Sequence, residues 1–458
     1  MKDNIVLYPH PSRGHLISML ELGKLISKHN PSISITVIIL NTPNHNTFSQ
    51  THPTPTFSEN NPSIKFIHLP PIKDPTASSS SDHRKLNNPN LHDALLFLSK
   101  TSNVKAFITD FFCSVSIEVS SDLNIPSYFF YTSNASVLCH FLYWYVIDKE
   151  INWSKRNLDE LLVDVPGTTT IGSEHVPTFM LDSSLNIYKD LIETANLMAE
   201  SAGIIVNTFE FLERKAVKAL EEGKCTPYHV PPPPIYCVGP LLFTDETKEQ
   251  HESLVWLDSQ PDRSVVFLCF GSQGTVIPSA SQLKEIAIGL ENSGVRFVWV
   301  VRNPPEEDGE EPNLENLLPE GFLERSNGRG IVVKSWAPQS EILNHESVGG
   351  FVTHCGWNSI LETVCAGVPM LAWPLYAEQK MNKMFLVDDM KLALPIIQSK
   401  NGWVSAEELE ERLIELMKSE KGDIIRKQVL DSREVAMKAM SDGGSSNLAI
   451  NRLIRGLN

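Results

Sequence analysis

Val348-Gly349-Gly350-Phe351-Val352-Thr353-His354-Cys355-Gly356-Trp357-Asn358-Ser359 is an apolar run that ends in a glycine turn and enters a helix from Asn358. A strand without polar alternation is covered on both faces, and strand–turn–helix units of this kind build parallel α/β sheets. At such a junction the free backbone N–H groups, the positive helix end and the first-turn side chains of Asn358 and Ser359 form an anion site without a metal. His354 can add a donor to it. The same alternation continues outward. Strands are expected at Val265–Phe270, Arg296–Val301, Gly330–Lys334 and Met370–Ala372, and helices at Ser281–Asn292, Gln339–Asn344, after Glu378, and over Ala406–Lys418 and Gly422–Met440.

The preceding half repeats the pattern. Ile5–Tyr8, Ile33–Leu40, Ile64–His68, Val104–Thr109 and Ser127–Tyr131 read as strands. His15–His29, Leu91–Lys100, Ser114–Leu123 and Asn134–Asp148 read as helices. Pro53–Asn61, Asp74–Ser81 and Glu306–Glu311 read as loops. The Pro231–Pro234 run, a last strand Ile235–Val238 and Gly239-Pro240 mark a boundary, and polar Thr244–Glu252 reads as a linker. The expected division is therefore 1–240, a linker 241–255, 256–440, and a short helix over 441–458 after the Asp442–Ser446 hinge. Two doubly wound sheets in tandem bind a ligand in the cleft between them.

The bulk properties fit. The chain has 458 residues, 41% apolar and 21% charged, enough for a large core divided between two or three domains. A formal charge of −16 disfavours nucleic acid and anionic membrane partners. Seven scattered cysteines with no C-x-x-C pair suggest neither a disulfide framework nor a zinc site, and fit a reducing compartment. Met1–Asn4 runs straight into Ile5–Tyr8 without a signal-peptide core, and no apolar stretch reaches membrane-spanning length. A cytoplasmic protein is expected.

Further constellations carry chemistry. Pro9-His10-Pro11-Ser12-Arg13-Gly14-His15 follows the first strand, with Gly14 allowing a tight turn and His15 opening a helix. Imidazole is suited to taking a proton at neutral pH, although a helix-start role explains a lone histidine equally simply. Asp110 ends the strand of Thr109-Asp110-Phe111-Phe112 at the same sheet edge, where it can cap the next helix or orient His15. Together they suggest a His–Asp dyad. With no G-x-S-x-G nucleophile, such a base would activate a substrate hydroxyl. Neither is there a G-x-G-x-x-G, which argues against a nicotinamide oxidoreductase. A second glycine turn, Phe270-Gly271-Ser272-Gln273-Gly274, could reach the same anion as Asn358. Trp336 and Gln339 flank Ala337-Pro338, placing an indole and an amide where a flat base could stack, with core packing as the plainer alternative. Glu362, one turn beyond Asn358, could accept from ribose hydroxyls or simply face solvent. Glu378 and Gln379 suit neighbouring sugar hydroxyls, but Glu378 also suits a helix start.

The 44-residue stretch Trp336–Gln379 resembles the signature box of plant family 1 UDP-sugar-dependent glycosyltransferases: W-A-P-Q, H-C-G-W-N-S, Glu362, A-G-V-P and a final E-Q. The N-terminal Gly14-His15 and Thr109–Phe112 segments are similar too, and Pro374–Asn382 looks like the branch acting on phenylpropanoids, chalcones and flavonoids. The resemblance implies a GT-B fold, with two Rossmann-like domains facing a cleft. The first would hold the acceptor, the second UDP-sugar, and the last helix would cross back to the first. It implies that Trp336 stacks on uracil, with Gln339 and the Ala337 backbone beside it. Glu362 would take the ribose. His354, Asn358, Ser359 and Ser272 would hold the diphosphate. Trp357, Tyr376, Glu378, Gln379 and Thr132 would lie on the sugar side of the donor.

His15 would be the base and Asp110 its partner, in inverting transfer of glucose from UDP-glucose to a phenolic hydroxyl. No metal and no resident cofactor are implied, and a monomer is expected. A C-glycosyltransferase, or use of another UDP-sugar, is the alternative; a non-catalytic sugar-nucleotide binder would lack His15 or Asp110. Phe112, Phe179 and Met180, with Tyr143–Tyr145, are candidates for an aromatic acceptor pocket, core packing being the plainer reading. The chain departs from the family in two places. Glu378-Gln379 stands where Asp-Gln is commoner, and His10, Ser12 and Arg13 occupy a loop, facing the acceptor by resemblance, where small residues are frequent.

Overall fold

The structure is a computed structural model describing residues 1–40, 61–72, 84–150, 161–226, 231–243, 251–271, 276–304 and 311–457. Ser272, most of the loops expected at 53–61, 74–81 and 306–311, and most of the 244–252 linker lie outside the described residues.

The first sheet is formed by β1 (Asp3–Tyr8), β2 (Ser34–Ile39), β3 (Ile64–His68), β4 (Asn103–Asp110) and β5 (Ser127–Tyr131). After a small antiparallel pair, β6 (Leu162–Val163) and β7 (Ile171–Gly172), it is completed by β8 (Gly203–Val206) and β9 (Ile235–Cys237). The order is β3-β2-β1-β4-β5-β8-β9, parallel throughout. The second sheet comprises β10 (Val265–Cys269), β11 (Arg296–Val301), β12 (Gly330–Lys334), β13 (Val348–Thr353), β14 (Met370–Ala372) and β15 (Ala393–Pro395). Its order is β12-β11-β10-β13-β14-β15, again parallel. These are the two doubly wound α/β domains of a GT-B fold.

The strands lack alternation because both faces are covered. Along β1, Ile5 and Leu7 pack with helix Arg13–His29 and the C-terminal helix Ser445–Gly456, while Val6 and Tyr8 pack with helix Asn88–Thr101 on the other face. In the second sheet Phe267 of β10 stacks on its register partner Phe351 of β13, ring centroids 5.2 Å apart. The last helix lies on the first sheet's edge. Ile450, Leu453 and Ile454 are buried there, Ser446 Oγ donates to the Gly239 carbonyl at 2.6 Å, and the Arg452 guanidinium donates to the Ile235 carbonyl of β9.

Several elements depart from the sequence expectation. The stretch 114–123 is not one helix but a 3₁₀ segment, Phe111–Ser116, kinked at non-helical Cys113 and running into Ile117–Asp122. Ser116 Oγ bonds locally to the Cys113 carbonyl at 2.6 Å and contacts Thr109 Oγ1 at 2.9 Å, which tightens the turn. Gly14 does not make the turn before the helix; it lies inside the helix, which opens at Arg13 after Ser12. β8 and β15 were not anticipated. The first is a four-residue run too short for periodicity to identify, and the second contains Pro395, tolerated because β15 is an edge strand.

Candidate functional site

Strand order reverses between β1 and β4 in the first sheet and between β10 and β13 in the second. Such switch points open a crevice at the carboxyl ends of the strands, because the helices on either side diverge there. The segments after β1 and β13 meet: Asn358 Nδ2 donates to the Gly14 carbonyl at 3.2 Å, and Ser18 Oγ donates to Asn358 Oδ1 at 3.2 Å. Two helix N-termini, those of Arg13–His29 and Trp357–Ala366, therefore converge on one cleft.

On the first-sheet side, His15 Nδ1 lies 2.7 Å from Asp110 Oδ2 and 3.1 Å from Thr132 Oγ1. Asp110 is fully buried, and its other oxygen accepts the Phe112 amide at 2.9 Å. An ionised carboxylate only accepts, so Nδ1 carries the proton and Nε2 is left as the base. Burial pulls the His15 pKa down, but the charge and hydrogen bond of Asp110, with help from Glu378, outweigh it, and the net shift is upward. His15 is 21% exposed and ringed by aromatics: Phe112 at 5.1 Å, Phe111 at 5.8 Å and His10 at 5.4 Å between ring centroids.

On the opposite side, the His354 imidazole is buried between two glycine backbones. A Cβ on Gly356 would stand 2.4 Å from its Nε2, and one on Gly271, at φ +90°, 2.9 Å away. Burial lowers its pKa to about 4, so it is a neutral donor at neutral pH, and among the described residues its Nδ1 has no hydrogen-bond partner. Arg302 Nη1 donates to the Gly271 carbonyl at 3.2 Å and holds that turn. Gln339 Nε2 donates to Ser359 Oγ at 3.0 Å and to Glu362 Oε2 at 2.6 Å. Burial raises the Glu362 pKa to about 7, so this carboxyl gains from any donor that reaches it. A cavity of about 150 Å³ brings together Trp336, Ala337, Gln339, Asn358, Ser359, Glu362 and Gly271 with Arg13 and Gly14 from across the cleft. Trp336 is 40% exposed at this cavity.

The remaining sequence-derived candidates divide. Glu378 is half-buried, with Ser133 Oγ donating to its Oε1 at 3.4 Å across the cleft. Gln379 is buried, and its Oε1 accepts the Leu375 and Tyr376 amides at 2.9 and 3.0 Å, so it shapes the loop that carries Tyr376. Trp357 is only 4% exposed, and its indole N–H donates to the Asn207 carbonyl at 2.6 Å, tying β13's turn to the end of β8. Of the acceptor candidates, Phe112 is 44% exposed beside His15, whereas Met180 is buried in the apolar core and Phe179 packs against it. Their short helix, Thr178–Leu181, turns that face inward.

Sequence reasoning missed Asn382. Its Nδ2 donates to the Cys355 carbonyl at 2.9 Å, and its Oδ1 accepts from Asn134 Nδ2 at 2.5 Å. It also set Arg13 toward an acceptor rather than against Trp336 and Glu362. No local signal marks either residue, since Asn134 lies 248 positions from Asn382 and the second-lobe lining of the cavity lies at least as far along the chain from Arg13. Among the described residues no cluster of His, Cys, Asp or Glu is grouped to hold a metal ion, and no helix is long and apolar enough to cross a membrane.

Residues 224–432 match the family model "UDP-glucoronosyl and UDP-glucosyl transferase". The chain is 47% identical to UDP-glycosyltransferase 88B1 of Stevia rebaudiana, covering 97% of each, and 46% identical to anthocyanidin 5,3-O-glucosyltransferase of a Rosa hybrid cultivar, covering 98% of each. It superposes on Phytolacca americana UGT2, solved with UDP-2fluoro-glucose and pterostilbene, with a TM-score of 0.88 at 32% identity, covering 99% of each chain.

Proposed function

The chain belongs to the UDP-glycosyltransferase family, and on that premise we propose that it transfers glucose from UDP-glucose to a hydroxyl of a flavonoid, chalcone or phenylpropanoid, with inversion. The observation that carries this reading is the His15–Asp110 pair at 2.7 Å, on the opposite wall of one cleft from the Asn358 helix end. In the proposed division of labour, residues 1–240 hold the acceptor and 256–440 the donor. Residues 241–255 link them, and 441–458 return to the first lobe.

The chemistry follows from these positions. Trp336 stacks on uracil while Glu362, already bonded by Gln339, accepts from the ribose hydroxyls. The diphosphate rests on the amide end of helix Trp357–Ala366, with Asn358, Ser359 and neutral His354 as donors. His15 Nε2 removes the phenolic proton. The freed oxygen pair attacks the anomeric carbon as its bond to the diphosphate oxygen breaks, so UDP leaves with that electron pair from the opposite face and a β-glucoside forms. Asp110 stabilises the imidazolium. Donors set in advance against the departing charge do the work that a divalent cation performs elsewhere, and holding both substrates in one cleft lowers the barrier further. The same reading includes a monomer working in the cytosol.

His15→Ala is expected to lower kcat with phenols by about 10²–10⁴-fold while leaving the affinity for UDP within twofold or so. Undiminished turnover would remove the base assignment. Phenolic aglycones with UDP-glucose, UDP-galactose and UDP-glucuronate, read by mass spectrometry, test donor and acceptor together. Products that survive acid hydrolysis would point to a carbon–carbon bond and against O-transfer.

A further inference from the structure

We infer that Arg13, from the acceptor half of the cleft, is a donor-binding residue that recognises the diphosphate of the nucleotide sugar. This rests on the proposed UDP-sugar chemistry and names a contact within it. Arg13 opens the helix that carries His15, and its side chain lines the same cavity as Trp336, Gln339, Asn358 and Glu362 of the second sheet. Among the described residues lining that cavity it is the one basic side chain, set against the carboxyls of Glu341 and Glu362. Those two carboxyls, both on the second-sheet side, by themselves repel a diphosphate. The helix N-terminus at Trp357 supplies partial charge and neutral His354 supplies a hydrogen bond, but neither carries a full positive charge. Arg302, the nearby guanidinium behind the Gly271 turn, donates to that carbonyl from the second sheet's own side. Arg13 therefore provides the planar, permanently charged fork that a diphosphate oxygen pair fits best.

The position has a second consequence. Arg13 stands two residues before His15, and the carbonyl of the intervening Gly14 accepts from Asn358. A diphosphate held by Arg13 on one wall and the Trp357–Ala366 helix end on the other draws the first turn of the His15 helix against the donor. Donor binding and base placement are then one event.

The test compares parent, Arg13→Ala and Arg13→Lys, measuring inhibition by UDP and by uridine together with KM for donor and acceptor. Expected for Arg13→Ala is a UDP inhibition constant and donor KM about tenfold higher, with uridine changed less than about twofold. Acceptor KM should stay within about twofold, and Arg13→Lys should recover part of the loss. The fall of UDP affinity with added salt should also be shallower in Arg13→Ala, as removal of a charge contact requires. An unchanged UDP-to-uridine ratio, or an effect confined to acceptor KM, overturns the assignment while leaving the transferase reading intact. Failure of the parent protein to bind UDP overturns both.

Discussion

Asp110 uses one oxygen to accept the Phe112 amide and the other to hold His15, so helix cap and dyad partner describe a single buried carboxylate rather than rival roles. The upward shift of His15 has a definite sign. Stabilisation from the charged pair is fully present below the ordinary histidine value and is lost as pH rises through the raised folded value. Catalysis runs the other way, because Nε2 must be unprotonated; kcat/KM falls as pH drops through that same value. Asp110→Asn can still accept the Phe112 amide, so the turn is retained. It is expected to move the acid limb of the pH–kcat/KM profile toward lower pH and to lower plateau kcat about 100-fold, because the imidazolium loses its counter-charge. A limb that stays in place in this variant would show that another group titrates there. At this scale the sequence suggested the His15–Asp110 pair, one residue just after the first strand and the other ending β4, but Thr132 as a second neighbour of Nδ1 appears only in the folded chain.

The turn after β13 illustrates how an element can be legible while its purpose is not. The Gly-rich junction before Trp357 is visible in the sequence, and so is the helix start. The slot that holds His354 is built from Gly356 of that turn and Gly271 of the turn after β10, which become neighbours only because β10 and β13 pair in the sheet. Gly356→Ala would set a methyl 2.4 Å from His354 Nε2, with Gly271 blocking retreat on the other side. The expected outcome is a stability loss of about 1–3 kcal/mol in denaturant titration, as for other overpacked sites, with donor KM raised about tenfold and acceptor KM unaffected. A variant with parental donor KM would mean that the imidazole position has no bearing on the diphosphate. Ser272, on the same second turn, lies outside the described residues.

Across the whole molecule, the two sheets are joined at the cleft by hydrogen bonds between buried groups: Trp357 to the Asn207 carbonyl, Asn134 to Asn382, and Asn382 onward to the Cys355 carbonyl. Asn382 thus links the turn bearing His354 to the first lobe, which makes lobe placement and the geometry of that turn interdependent. Asn382→Leu leaves an amide and a carbonyl without a partner, at about 1–3 kcal/mol each. Scattering should report a larger radius of gyration, and calorimetry weaker UDP binding; parental values in both would show that the link has no such role. Much of the alternation of strands and helices, the net acidic charge, the two-sheet architecture and the residues of the Trp336–Gln379 box were accessible before any coordinates. Hydrophobic period, glycine turns and cap chemistry act over a few neighbouring residues and so are written locally. The inward packing of Met180, the engagement of the Trp357 indole and the turn of Arg13 toward the nucleotide cavity were not. Each depends on groups brought together from distant parts of the chain by how two sheets dock, and no local pattern encodes the geometry of that docking.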